Sequence, residues 1–281
     1  MVPSRDPRRV ARKVGVYISL YVATVFVVGP VLGWFGALVG VTATGFAAAC
    51  VANALTMRIY QRLSLLDIGL RWNRSSAVNL GLGLAGGMGA ACLVLVPPLV
   101  LHAAHLSAAP PENQSLGTFF FLPLLLLLGA AGEEMLFRGY GFQVLLRAAG
   151  AYATIIPIGV VFALLHAANP NASYIGLANT AGFGILFGYA FLRSRDLWLP
   201  IGLHYGWNLA LPLFGVNVSG ITMRLTGYTM EWTAGPLWSG GEYGPEASVL
   251  TSIVFAVLFL FLWKGPICQQ TTPLLGPPRE N

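Results

Sequence analysis

What most limits the fold of this chain is a succession of apolar runs, each about 17–25 residues long, the length a helix needs to cross a bilayer. Such runs fall at 14–34, 36–56, 78–101, 118–148, 151–167, 174–192, 197–214 and 248–263. Only 9% of the residues are charged and the mean hydropathy is +0.70, whereas a soluble domain carries about 25% charged residues. Water is therefore not the main solvent. The expected fold class is all-α, a polytopic membrane protein with about eight transmembrane helices. The chain divides into a basic N-terminus (1–13), an N-terminal transmembrane scaffold (14–115), a transmembrane core (116–214), a long exterior loop (215–247), and a last transmembrane helix with its tail (248–281).

Orientation follows from the sixteen Lys and Arg, because positive loops are retained in the cytoplasm. Fourteen fall at the termini and the even-side loops: Arg5, Arg8, Arg9, Arg12, Lys13, Arg58, Arg62, Arg71, Arg74, Arg147, Arg193, Arg195, Lys264 and Arg279. The opposite loops hold only Arg224, and Arg138 lies inside a span. Both termini are expected in the cytoplasm, with the protein integral to the cell membrane. The same bias explains the net charge of +6 and the pI of about 9.5. Membrane lipid is thus the expected partner and nucleic acid is not. The apolar run after the first basic stretch is longer than a signal peptide's core, so it reads as an anchor.

Several motifs lead nowhere catalytic. Gly81, Gly83 and Gly86 have the spacing G-x-G-x-x-G, but no strand precedes them and they sit in an apolar helix, where small residues allow close packing. Gly184 and Gly188 read the same way. Cys50, Cys92 and Cys268 are odd in number and widely spaced, which supports neither a disulfide framework nor a cysteine metal site. The first two spans look like scaffold, with almost no polar side chain. The loop 215–247 carries Tyr228, Trp232, Trp238 and Tyr243, which suits an interfacial belt, although a cover over a site is conceivable. His102 and His105 fall at an expected interface, and the tail after Cys268 is expected to be disordered.

The informative residues are those that do not belong in hydrocarbon. An ionisable side chain in a span costs at least about 2.5–3.5 kcal/mol on insertion scales, so such residues usually mark function. Here they are Glu133, Glu134, Arg138, His166 and His204, with Asn208 beside the last. On a helix, Glu134 and Arg138 are four apart and share a face, while Glu133 points about 100° away. One carboxylate can be neutralised while the other stays free to move a proton. Glu133 lies seventeen residues before Gly150 and His166 sixteen after it, so on two unbroken antiparallel helices they stand at one depth. A water held between them would meet a proton acceptor and an orienting partner. His204 and Asn208 share another helical face and could donate to an oxygen that becomes negative during attack on a carbonyl.

Glu133-Glu134-x-x-x-Arg138, Phe162-x-x-x-His166 and His204-x-x-x-Asn208, with the Phe137–Tyr140 run Phe-Arg-Gly-Tyr, closely resemble the CPBP family of intramembrane proteases. That family includes the CAAX prenyl endopeptidases and bacteriocin-processing relatives. The resemblance covers about Leu116 to Phe214. It implies an all-helical, glutamate-dependent endopeptidase in which Glu133 and His166 activate water, Glu134 and Arg138 support the site, and His204 with Asn208 stabilises the oxyanion. The substrate would be a peptide or membrane protein. No cofactor is expected; were the enzyme zinc-dependent, Glu133, Glu134, His166 and His204 would be the ligands, but H-E-x-x-H is absent. The competing reading is a non-catalytic membrane protein of the same fold, an immunity or assembly factor, or a proton-coupled transporter. No internal repeat supports the transporter.

Overall fold

The computed structural model describes residues 6–108 and 116–276; Arg5 and Arg279 of the basic set lie outside them. Long helices dominate, in the order α1 (Pro7–Leu32), α2 (Ala37–Gln61), α3 (Arg74–Val100), α4 (Leu116–Arg138), α5 (Tyr140–Ala149), α6 (Tyr152–Leu165), α7 (Tyr174–Ser194), α8 (Trp198–Leu213), the short α9 (Pro236–Ser239) and α10 (Val249–Lys264). Side-chain caps set several starts: Asp6 accepts from Arg8 N at 3.0 Å, Asn73 from Ser76 N at 3.0 Å, and Ser248 from Thr251 N at 3.2 Å. The chain is an integral membrane protein of the all-α class, with one departure. Strands β1 (Ala104–Ala108) and β2 (Tyr228–Trp232) pair antiparallel, with Leu106 opposite Met230, and the first of them carries His105 against Glu231.

The spans are less uniform than the eight runs suggest. Among the described residues, five helices are long and apolar enough to cross a membrane: Pro7–Phe35, Ala37–Gln61, Arg74–Val100, Leu116–Ala149 and Tyr174–Ser194. By contrast α6 has 14 residues, and α8 and α10 have 16 each, which gives about 21–24 Å at 1.5 Å per residue against a hydrocarbon core of about 30 Å. Irregular backbone follows α6 and α8; after α8 it packs inside the protein, with Gly215, Val216, Val218 and Gly220 buried, the setting in which such backbone is tolerated at membrane depth, whereas 167–173 after α6 is mostly exposed.

The expected unbroken span 118–148 is also interrupted, at Gly139. Tyr140 N donates to Asn53 Oδ1 at 2.7 Å instead of continuing the helix, and Tyr17 Oη donates to the carbonyls of Met135 and Leu136 at 3.0 and 2.9 Å. Asn53 Nδ2 also donates to Met135 O at 3.0 Å. The first two helices therefore do more than frame the core, because their two buried polar side chains satisfy the backbone where α4 ends.

Helix contact depends on glycine. A β-carbon on Gly87 would lie 2.1 Å from Leu203 O, and one on Gly83 would lie 2.4 Å from Leu199 O; Gly202 and Gly206 face α3 just as closely. Backbone thus meets backbone between α3 and α8, and this fixes the helix that carries His204. Gly184 packs on Gly159 and Gly188 on Ile155, joining α7 to α6, while Gly86 receives the Phe261 ring. Gly81 faces open space and plays no such part.

Two expectations for the C-terminal third are corrected. The connection between α8 and α10 is not merely an interfacial belt: Val218, Ile221, Met223 and Glu246 line the central cavity. The stretch after Cys268 is ordered as far as Gly276, because side chains receive it. Gln270 bonds Asp196 at 2.5 Å, Ser76 at 3.0 Å and Asn73 at 2.7 Å, Cys268 N donates to Asn79 Oδ1 at 3.0 Å, and Leu274 is buried. Burial pushes the Asp196 carboxyl up, against the hydrogen bonds from Asn79, Gln270, Leu199 N and Ser194 that favour its charged form. The helix ends that gather on this face carry most of the described Lys and Arg.

Candidate active site

Arg138 closes α4 and is completely buried with Glu134, one turn earlier. Its Nη1 lies 3.2 Å from both oxygens of Glu134, and its Nη2 donates to Gly184 O at 2.6 Å. The rings of Phe137, Phe162 and Phe187 stand 5.7, 5.4 and 5.5 Å from the guanidinium. Desolvating a charge is offset here by a counter-charge, a carbonyl and three π-faces. The pairing expected from the spacing is present.

Glu134 also reaches α8, which the sequence spacing did not reveal. Its Oε1 lies 2.9 Å from His204 Nδ1. A carboxylate paired with arginine has only lone pairs to offer, so Nδ1–H donates. The ring is stacked on Phe187 at 4.9 Å and 15°. His166 caps the C-terminal end of α6, with Nδ1 2.8 Å from Phe162 O. A carbonyl can only accept, so here too Nδ1 carries the proton.

These two bonds decide what Glu133 meets. In the neutral rings both Nε2 atoms carry lone pairs, and they lie 3.9 Å (His166) and 3.8 Å (His204) from Glu133 Oε2. Three acceptors converge, each separation exceeds a direct hydrogen bond, and Glu133 Oε2 has no hydrogen-bond partner among the described residues. A gap of this size between polar groups is where a bridging water fits. Glu133 itself is 39% exposed, in contrast to the sealed Glu134.

The three groups open into a cavity of about 320 Å³. Asn208 lines it one turn beyond His204, half-buried, and its amide makes no hydrogen bond among the described residues. All six residues singled out from sequence therefore meet at one place: Glu133, His166, His204 and Asn208 on the cavity, with Glu134 and Arg138 behind it. The depth comparison that paired Glu133 with His166 assumed an unbroken span; their pairing holds although α4 stops at Arg138.

A seventh residue was missed. Glu246, in the 3-10 turn Pro245–Ala247, is buried on the cavity wall and accepts from Trp207 Nε1 at 3.2 Å, from Ser219 Oγ at 2.9 Å and from Ser219 N. Burial pushes its carboxyl up, opposed by the hydrogen bonds from Ser219 and Trp207. The only signal in the sequence was an acid placed directly before an apolar run.

A comparison with curated proteins gave no match. A family model described as type II CAAX prenyl endopeptidase Rce1-like matches residues 115–210, nearly the stretch over which the three motifs carry the CPBP resemblance. That segment runs from α4 into α8 and holds all six motif residues, and over it the chain is similar to the Rce1-like type II CAAX prenyl endopeptidases.

Proposed function

We propose that this protein is an intramembrane endopeptidase that hydrolyses a peptide bond with water activated by Glu133 and His166. The convergence of Glu133 Oε2 and two imidazole Nε2 atoms on one point of the cavity wall, at bridging-water distances, is the observation that carries this reading. Water in the gap donates one proton toward Glu133 and is steered by His166. As its oxygen bonds to the carbonyl carbon, Glu133 takes that proton and the carbonyl oxygen becomes an oxyanion. Asn208 donates to that oxygen from its uncommitted amide. His204, once it has taken a proton from solvent at Nε2, donates to the oxyanion as well, with Nδ1–H kept on Glu134. Collapse of the tetrahedral centre breaks the C–N bond, and the proton held by Glu133 passes to the departing amine. Arg138 balances the Glu134 charge, and Glu134 keeps His204 turned toward the cavity.

No cofactor enters this reading. Glu134 is sealed against Arg138, and its Oε1 is shared between that guanidinium and His204 Nδ1, which disfavours it as a zinc ligand. Cleavage is expected to survive exhaustive chelation; recovery only on adding zinc would overturn the metal-free chemistry. The basic face is proposed to be cytoplasmic, with both termini there and the protein in the cell membrane. The test of function is a comparison of N-termini in the membrane proteome of cells carrying the wild-type protein or Glu133→Ala. Products present only with the wild type support a protease. A phenotype retained by Glu133→Ala with no change in N-termini points instead to an immunity or assembly factor.

A further inference from the structure

The segment that runs along the edge of the same cavity, which it enters through Ile221 and Met223, carries main-chain groups that the described protein leaves unused. The connection after α8 turns tightly between Val218 and Ile221, which exchange backbone hydrogen bonds at 3.0 and 2.9 Å. At the corner Ser219 and Gly220 have φ of 48° and 82°. The turn is held from three sides: Glu246 accepts from Ser219 N and Oγ, Asn169 Nδ2 donates to Ser219 O at 3.1 Å, and Gly220 N donates to Tyr243 O at 2.8 Å. Asn169 follows His166 by three residues, so the turn is tied to the segment that carries that imidazole.

From this fixed corner the chain continues through Thr222, Met223 and Arg224, and Leu225 N then bonds Pro212 O at 3.2 Å. Among the described residues, neither the N–H nor the C=O of 222, 223 or 224 makes a hydrogen bond. The side chains alternate as they do along a strand: Ile221 and Met223 line the cavity, Met223 buried, while Thr222 is exposed. Arg224 adds a guanidinium whose Nε is buried and also unbonded. Backbone groups are rarely left unpaired within a folded protein, and a row of them beside a cleft is a template for another strand.

We infer that residues 222–224 are the strand to which the substrate adds as an extended peptide, through main-chain hydrogen bonds that present its carbonyl to Glu133. This rests on the hydrolytic reading above. Main-chain pairing supplies affinity whatever the substrate's sequence, while Ile221 and Met223 select alternate side chains of the peptide. Glu246 and Asn169 act as positioning residues, because they keep the template in register with the His166 segment.

The test uses the full-length protein in liposomes and synthetic peptides spanning cleavage sites found in the N-terminus comparison, each methylated at one backbone nitrogen. Strand addition predicts that methylation at every second position slows cleavage by about tenfold, with the intervening positions little affected. A photo-crosslinker replacing Thr222 in a Glu133→Ala background should capture the unmodified peptide, and one replacing Tyr152 should not. Cleavage that tolerates methylation everywhere, or loses rate without alternation, overturns the inference and leaves the hydrolase standing. Failure of the wild type to cleave the unmodified peptides overturns both.

Discussion

Glu133 and Glu134 are adjacent and chemically identical, yet their surroundings assign them different work. Glu134 is sealed among Arg138, His204 and aromatic rings, whereas Glu133 faces the cavity and the two imidazole Nε2 atoms at more than hydrogen-bond distance. Removing the charge that balances a buried carboxylate should cost about 3–5 kcal/mol, so Arg138→Met is expected to lower the Tm in detergent sharply. Glu133→Gln should shift stability by no more than about 0.5 kcal/mol, since its oxygen has no protein partner to lose. Asn208→Ala tests the oxyanion role: kcat is expected to fall by about 100-fold with the Tm unchanged, and equal losses in both would mean that the amide is only packing. The i, i+4 pairs were legible from sequence because helical spacing alone puts Glu134 beside Arg138 and His204 beside Asn208. The Glu134–His204 bond and the place of Glu246 were not, since each joins elements whose relative position no local pattern encodes.

The helices carry these groups at fixed depth because glycine lets their backbones touch. Gly87→Ala would set a methyl 2.1 Å from Leu203 O, displacing α8 and His204 with it, and is expected to reduce both Tm and cleavage. Gly89→Ala, on the same helix with nothing within 4 Å, should change neither. The stop at Gly139 escaped a reading by apolar length because residues 140–149 continue the apolar run; what ends α4 there is bonding from Tyr17 and Asn53, more than eighty residues away in sequence. Asn53→Leu should accordingly destabilise the protein by about 1–3 kcal/mol through the unpaired Tyr140 N. Thermal unfolding of the three variants side by side checks these claims.

At the scale of the whole molecule, apolar run length and the distribution of arginine already give a helical membrane protein with one basic face. They do not show that the α8–α10 connection folds back onto the cavity, or that the tail docks through Gln270 and Leu274, because polar loop residues look alike in sequence whether they meet water or a buried Asp196. Truncation after Pro266 would strip Asn79 and Asp196 of partners and is expected to lower the Tm while leaving the cavity residues in place. The hydrolytic site itself is tested most directly by purified protein in liposomes cleaving a peptide that spans a site found in cells, wild type against Glu133→Gln. With the Tm of the variant unchanged, its cleavage rate should fall by about 100-fold or more. Cleavage at the wild-type rate by a folded Glu133→Gln protein would contradict the assignment of Glu133 as the base.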